Sequence, residues 1–352
     1  MKYSDHPNPN GRETLHQCRV FCKSKLCVLQ CKYGIDLQNN LASERDLLHN
    51  ACVMTQATDV TGELLKAVSR SFYLTIRFLP RQMRPAVALG YMLARATDSV
   101  ADTVSAPVEE RKAVLARMGE AVAGTPDAAL LQVLTRDIAP GLAHEGERTL
   151  LCAFGNLLQV LASFDAEQAA LIRKVLSTII NGQLWDLTAF TVQDTVQNDD
   201  ETRCYTYNVA GCVGEFWTHL GYTAMGERFC DAERREIMAR AGIRYGQGLQ
   251  LINILRDMEE DAARGRHYLC SSPATWLNRA ERYMLDGVDY SLRLGTFRLR
   301  FASILPALIG LKTIKLLKAN TLGQGKVKIK IRRRSVYACL LKAFFLCLRR
   351  KG

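Results

Sequence analysis

One segment of the sequence, residues 248–268, combines polar and acidic side chains at a spacing suited to binding a cation. If the segment is a helix, Gln250, Asn253, Asp257 and Asp261 lie at positions i, i+3, i+7 and i+11 and share one face. The leucines and isoleucines between them predict that other faces are buried, and a buried polar stripe is costly unless its charge is compensated. A bound cation would compensate it, although nearby arginines would do the same on a solvated face.

A second segment, earlier in the chain, repeats this arrangement. Tyr91, Arg95, Asp98 and Asp102 lie at i, i+4, i+7 and i+11, so a helix would place a ring, a guanidinium and two carboxylates on one face. An ion pair between Arg95 and Asp98 would explain this segment taken alone. Two such faces in one protein instead predict facing helices that bind Mg²⁺, a cation that prefers carboxylate, water and substrate phosphate oxygens.

The residues beside these aspartates indicate what the cation would bind. Guanidinium groups contact phosphate oxygens in pairs, and four arginines lie in or beside the two segments: Arg70, Arg95, Arg256 and Arg266. A metal-lined mouth over an apolar cavity suits a substrate with a diphosphate head and a hydrocarbon tail. Loss of the diphosphate would leave an allylic cation, which aromatic faces such as Phe72 and Tyr91 stabilise.

The composition predicts that helices position these residues. The chain has 352 residues, of which 48% are hydrophobic, and few segments alternate with period two, so we predict an all-α fold. A long helix is predicted to start near Pro85, after a break at Pro80. Residues 201–221 are also predicted to be helical, with Ala210 and Gly214 allowing a backbone or a ligand to approach closely.

The formal net charge of +12 is concentrated towards the two ends of the chain. We predict a poorly ordered, basic, cysteine-containing extension over residues 1–45, a catalytic domain over 46–320, and a basic loop with an amphipathic helix over 321–352. That helix, predicted from Ser335 to Leu348, either docks on the domain or lies on a membrane surface. A nucleic-acid partner would explain the charge but not two acidic faces that repel phosphate, so we expect none.

Other features bear on the compartment. Because no signal peptide opens the sequence, its 12 cysteines are expected to be reduced thiols, and the protein is expected to be a cytoplasmic monomer, with peripheral contact at the inner face of the membrane as an alternative. The apolar segment 301–317 is too short to span a bilayer and, with Pro306 inside, is predicted to form a pair of core helices. One cysteine cluster lacks the paired spacing of structural zinc sites: Cys18, Cys22, Cys27 and Cys31.

Four motifs resemble those of the squalene and phytoene synthases, which are head-to-head prenyltransferases, and are most similar to bacterial squalene synthases. They are SRSFYLTIRFLP (69–80), YMLARATDSVAD (91–102), YTYNVAGCVG (205–214) and QLINILRDMEED (250–261). The resemblance extends over about residues 47–341. It implies the all-α isoprenoid synthase fold, a single helical bundle around a central cavity, and condensation of two prenyl diphosphates, usually farnesyl diphosphate, through a cyclopropyl diphosphate intermediate.

The resemblance also implies roles for individual residues. It implies that five residues bind Mg²⁺: Asp98, Asp102, Asn253, Asp257 and Asp261. It implies diphosphate contacts at Arg70, Arg95, Arg256 and Arg266. The pocket positions are Ser69, Ser71, Phe72, Tyr91, Val209, Gly214, Gln250 and Tyr268. Tyr205 matches a tyrosine that assists in proton transfer or cation control, so it is a candidate catalytic residue together with the four aspartates.

The product depends on whether NADPH binds. Squalene formation needs a hydride to quench the last cation, whereas phytoene and dehydrosqualene form by loss of a proton. The segment GKVKIKIRRRSVY (325–337) resembles a basic segment on the NADPH side of the squalene synthase pocket, so Lys328 and Lys330 are predicted to contact the cofactor. We therefore expect a squalene synthase that uses two farnesyl diphosphates and NADPH, with phytoene or dehydrosqualene synthase as the alternative.

Overall fold

A computed structural model of the protein describes residues 62–69, 72–124, 128–321 and 331–348. Within these ranges the regular elements are helices, and two loops are joined by an isolated parallel bridge between Thr195 and His267. The prediction of an all-α protein is confirmed.

The helices are numbered here in chain order. They are α1 (62–68), α2 (Phe72–Phe78), α3 (Arg84–Asp102), α4 (Val108–Ala123), α5 (Ala128–Val133), α6 (Glu145–Cys152), α7 (Phe154–Ala162), α8 (Ala166–Val192), α9 (Asp199–Thr206), α10 (Cys212–Met225), α11 (Arg235–Ala262), α12 (Pro273–Arg293), α13 (Phe297–Thr321) and α14 (Arg333–Leu348). A π-helical turn, Tyr207–Gly211, joins α9 to α10.

Several helix starts follow from local sequence. Pro85 lies in the first turn of α3, where its missing N–H costs nothing. Asp165 caps α8 by accepting a bond of 2.9 Å from the backbone N–H of Gln168, and Ser272 caps α12 by accepting one from Thr275. Each cap satisfies a backbone donor that the first turn of a helix leaves without a partner.

Helix α13 differs from its prediction. The apolar segment expected to form two helices is one helix that continues through Pro306. A proline removes one backbone hydrogen bond and normally kinks or breaks a helix. Here α13 packs against α2, α11, α12 and α14, and burial of its apolar side chains on several sides stabilises the continuous helix.

The helices close into a ring. Helix α2 contacts α3 and α13, α3 packs on α8, α8 on α10, α10 on α11, and α11 on α13. Fully buried side chains such as Trp276, Phe154 and Phe229 belong to the hydrophobic core of the protein. An apolar cavity lies among α2, α10, α11, α12 and α13 and is lined by residues of these helices.

The C-terminal helix α14 lies on the outside of this ring. Cys339, Ala343 and Cys347 of α14 are buried against Ile304 and Leu308 of α13, so one face of the helix packs on the domain. No helix in the described ranges is both long and apolar enough to cross a membrane. The predicted domain boundaries stay a prediction, and residues 1–45 lie outside the described part of the chain.

Candidate active site

The first acidic face lies on α3, as predicted. Asp98 accepts a hydrogen bond of 2.6 Å from the side-chain amide of Gln183 on α8. Burial, reinforced by the carboxylate of Asp102, raises the pKa of Asp98 to about 6. Arg95, one turn away, forms an ion pair with Glu147 of α6. Because the carboxylates of Asp98 and Asp102 repel each other in a partly desolvated position, binding of a cation between or beside them would be favourable.

The second acidic face lies on α11. Asn253 donates a hydrogen bond of 3.4 Å to the side-chain oxygen of Gln250, which shows that these two residues share a face. One turn further, Arg256 donates from Nε to Asp257 over 2.8 Å and pairs with the same carboxylate through Nη2. Partial desolvation, together with the charge of Asp257, raises the pKa of Asp261.

A third carboxylate, on α8, pairs with an arginine that follows α11. Arg266, which follows α11, lies with Nη1 3.0 Å from Oδ2 of Asp186 on α8. Desolvation raises the pKa of Asp102 on α3 and of Asp261 on α11, and the positive charge of Arg266 lowers both pKa values in part. One guanidinium therefore interacts with carboxylates from three helices.

A tight turn places Arg266 in this position. The backbone N–H groups of Arg264 and Arg266 both donate to the carbonyl of Asp261, each over 2.9 Å. Gly265 between them has φ +74°, a left-handed conformation that favours glycine. The backbone N–H of His267 then donates to the carbonyl of Asp194, in the loop after α8, over 3.0 Å. The turn thus brings the end of α11 against the end of α8.

Two stacked tyrosines lie beside the ion pair. The rings of Tyr205 and Tyr268 are 4.9 Å apart and 14° from parallel, and the Tyr268 hydroxyl donates to Oδ1 of Asp186 over 2.5 Å. Burial, with the nearby Asp186 carboxylate, raises the pKa of both phenols well above the ordinary value. Tyr205 is therefore a neutral phenol that keeps its proton.

The central cavity has a volume of about 220 Å³ and an apolar lining. Phe72 of α2 lines it and also stacks on Tyr91 of α3, with ring centroids 5.4 Å apart. Val209 lies in the π-helical turn, and Leu249 of α11 lines the wall immediately before the second acidic face. The cavity and the carboxylates thus share α11, and Phe72 connects the cavity to α3.

Small residues let α10 approach α11 closely. A Cβ atom on Gly214 would overlap the carbonyl oxygen of Gly242, and one on Gly246 would overlap that of Ala210. The sequence left open whether these small residues admit a backbone or a ligand. The structure shows the close approach of a backbone, because Ala210 and Gly214 contact α11. The same two residues line the cavity, and their contact with a ligand stays a prediction.

Not every predicted residue reaches this centre. Ser69 is buried and donates to the carbonyl of Leu65 over 2.5 Å, which uses its hydroxyl within α1. Its predicted contact with the substrate stays a prediction. Four other predicted residues lie outside the described part of the chain: Arg70, Ser71, Lys328 and Lys330.

Sequence reasoning missed two residues of α8, Gln183 and Asp186. Both are buried, at 7% and 8% exposure, and each bonds to a predicted site residue. They lie three residues apart in a segment for which no site residue was predicted. The signal for them was present, since buried polar groups need partners and an amide and a carboxylate stand here among apolar residues.

The donors on α3 and α11 suit Mg²⁺. They are carboxylates and one amide, and Mg²⁺ is commonly held by one or two carboxylates together with substrate phosphates. Among the described residues, no three His, Cys, Asp or Glu side chains lie close enough together to hold a metal ion. The pKa of Asp98 is raised because burial and the neighbouring Asp102 carboxylate make its negative charge unfavourable. A bound cation would make that charge favourable again. The residues therefore fit a cation that is bound together with a diphosphate, which stays a prediction.

Comparison with known proteins identifies relatives. The family described as "Squalene/phytoene synthase" matches residues 65–281. A bifunctional lycopene cyclase/phytoene synthase of Phaeosphaeria nodorum is 28% identical over 61% of this chain and 34% of its own length. A squalene synthase of Eremothecium gossypii is 27% identical over 58% of this chain and 44% of its length. A presqualene diphosphate synthase of Zymomonas mobilis is 30% identical over 62% of each chain.

Solved structures share the fold. The complex of TcSQS with the ligand E5700 matches with a TM-score of 0.65 and 23% identity, covering 82% of this chain and 88% of that one. A dehydrosqualene synthase in complex with a ligand matches with a TM-score of 0.56 and 18% identity over 82% and 95%. The predicted isoprenoid synthase fold is thereby confirmed. The matched region spans about a third of the bifunctional relative, at 34% of its length.

Proposed function

We propose that this chain, which belongs to the squalene/phytoene synthase family, condenses two molecules of farnesyl diphosphate head-to-head and reduces the product to squalene with NADPH. The intermediate in this proposal is presqualene diphosphate. Head-to-head condensation is the activity that family membership supports. The choice of substrate and of squalene as product is our own, and it depends on the basic segment 325–337.

The observation that carries the proposal is the position of Arg266. Its guanidinium pairs with Asp186 and interacts with carboxylates of α3 and α11. The two acidic faces therefore belong to one electrostatic unit. Because α11 carries both these carboxylates and the cavity-lining Leu249, a substrate with a diphosphate head and an apolar chain fits this combination.

The charged residues are assigned to binding and holding the diphosphate. Arg95, Arg256 and Arg266 each pair with a carboxylate now, and each would exchange or share that partner when phosphate oxygens bind. Mg²⁺, when bound at the aspartates and Asn253, supplies Lewis-acid stabilisation of the departing diphosphate. The free chain thus keeps its cations paired and positioned for an anionic ligand.

The apolar residues are assigned to the hydrocarbon and to the cation that ionisation leaves. The stacked rings of Phe72 and Tyr91 stand between the cavity and α3, where a developing positive charge would meet aromatic faces. Cavity residues such as Val209 and Trp217 give the cavity an apolar lining, which disfavours water beside the cation. Tyr205 keeps its proton at the hydroxyl oxygen and so can donate a hydrogen bond near the ionising group.

The product distinguishes squalene synthase from the second candidate, a phytoene or dehydrosqualene synthase. The relatives carry both kinds of name, and one is named for presqualene diphosphate. The test is to incubate the purified protein with farnesyl diphosphate and Mg²⁺, with and without NADPH, and to identify the products by mass spectrometry. The proposal is supported if squalene forms in the reaction with NADPH and not in the reaction without it. The same product in both reactions contradicts the reduction step, and it supports the second candidate if that product is a hydrocarbon formed without NADPH.

A further inference from the structure

The outer face of α14 exposes large apolar side chains. Five of them are between 44% and 64% exposed: Tyr337, Leu341, Phe344, Phe345 and Leu348. Four of these lie at i, i+4, i+7 and i+11 and so form one stripe along the helix. The opposite face already packs on α13. The helix is therefore apolar on two sides, whereas the sequence predicted an amphipathic helix with one polar side, and the outer apolar side remains exposed.

A row of five phenylalanines extends this surface. The phenylalanine strip consists of Phe345, Phe344, Phe297, Phe301 and Phe78, with successive ring centroids 5.8, 5.8, 5.9 and 5.4 Å apart. It crosses from α14 over α13 to α2, and Phe78 at its end is 44% exposed. Helix α2 also contributes to the cavity wall. Phe297 and Phe301 in the middle of the strip are half-buried, so a row of rings in contact extends from the exposed C-terminal helix to an element of the site.

Cations border this surface. Arg332, Arg333, Arg334 and Lys342 are exposed, and residues 331–348 include no aspartate or glutamate. None of these four cations forms an ion pair with an acidic residue in the described ranges. A second copy of the chain would bring like charges together at this face, which is unfavourable. An anionic lipid bilayer offers both an apolar interior for the rings and negative headgroups for the cations.

We propose that the outer face of α14 and the phenylalanine strip form a docking surface for an anionic lipid bilayer. The aromatic side chains enter the headgroup region, where rings are favoured, and the four cations contact the headgroups. Docking on this surface brings α2, and with it one wall of the cavity, to the bilayer. The proposal goes beyond the reaction and holds whichever product the site forms.

The test is flotation of the full chain with vesicles, either of phosphatidylcholine alone or with added phosphatidylglycerol. We expect binding to the anionic vesicles, a loss of ~10-fold or more in the variant Leu341→Gln/Phe344→Gln/Phe345→Gln, and a smaller, salt-dependent loss in Arg333→Gln/Arg334→Gln. The control Ile237→Gln/Leu285→Gln changes two apolar side chains that are also exposed, on α11 and α12, and should bind like the wild type.

Three results would overturn the proposal. The first is equal binding of the triple variant and the wild type, and the second is binding that is indifferent to phosphatidylglycerol. The third is a lipid-free wild type that sediments as a dimer while the triple variant sediments as a monomer, since the surface would then be covered by a second copy. Circular dichroism of each variant shows whether the fold is kept, and the charge variant tests the surface independently of the apolar substitutions.

Discussion

Arg266 and Asp186 form an ion pair of 3.0 Å between the end of α11 and the middle of α8. Asp186 also accepts the hydroxyl of Tyr268, which stacks on Tyr205. One buried carboxylate thus fixes a cation assigned to the diphosphate and a pair of phenols next to it. Neither Asp186 nor its helix belongs to the two acidic faces that the sequence displays.

Asp186→Asn should weaken both contacts while keeping the shape of the side chain. We expect a loss of about 2 kcal/mol in the free energy of unfolding, because Arg266 loses its buried partner, and a fall of ~10-fold to 100-fold in turnover, because Arg266 and Tyr268 are no longer held in place. Urea unfolding and steady-state kinetics measure the two effects. Asp289→Asn, at an exposed aspartate of α12, is the control. If Asp186→Asn has wild-type stability and kinetics, the contacts of Asp186 with Arg266 and Tyr268 contribute neither to folding nor to turnover.

Whether a site residue could be predicted from the sequence depends on how far along the chain its partners lie. The two acidic faces were predictable because helical periodicity over about a dozen residues defines them. The roles of Asp186 and Gln183 depend on hydrogen bonds with partners that lie 82 and 85 residues away along the chain. An amide and a carboxylate among apolar residues of α8 indicate that polar partners exist, but no local pattern identifies those partners, which α3 and the turn after α11 provide.

In helices α13 and α14, too, features that depend on packing between helices could not be predicted from the local sequence. Pro306 led to the wrong prediction of two helices, because the contacts of α13 with four neighbouring helices maintain one continuous helix. In α14 the sequence indicated a helix but not that its small residues Ala343, Cys339 and Cys347 would be the buried ones. Large rings such as Phe345 are left outside, which reverses the usual expectation that the larger apolar side chains are buried.

Asp98→Asn should separate stability from activity. The amide keeps the hydrogen-bonding size of the side chain but removes a charge that is costly to bury beside Asp102. Without metal, we expect the thermal midpoint to be unchanged or higher than that of the wild type, and diphosphate release from farnesyl diphosphate to fall by ~100-fold or more. Scanning calorimetry in chelator and a diphosphate-release assay measure these. Retained release would remove Asp98 from the site.

Gly214→Ala should force α10 away from α11, because the added Cβ would overlap the Gly242 carbonyl. Overpacking of this kind costs about 1–3 kcal/mol or more, and it should also distort the cavity wall and lower activity. The matched control is Gly119→Ala in α4, whose Cβ would lie 3.7 Å from Ile180 and so fit. The control should be neutral or stabilise by up to ~1 kcal/mol. Equal melting temperatures of the two variants would contradict the close approach.

Tyr205→Phe should preserve the ring stack on Tyr268 and remove only the hydroxyl. We expect a change in stability of at most about 1 kcal/mol and a fall in turnover of ~100-fold if the phenol donates its hydrogen bond or proton during the reaction. Tyr337→Phe, at an exposed tyrosine on α14, controls for loss of a hydroxyl elsewhere. Unchanged turnover in Tyr205→Phe would limit this residue to packing.

The most direct test of the central claim is whether the two acidic faces act together on a prenyl diphosphate. The measurement is mass-spectrometric detection, after incubation with farnesyl diphosphate and Mg²⁺, of a product that contains both farnesyl chains. The wild type should form it, and Asp98→Asn on α3 and Asp257→Asn on α11 should each abolish it while remaining folded. A wild type that leaves farnesyl diphosphate unjoined, or either variant forming the product at the wild-type rate, would contradict the account.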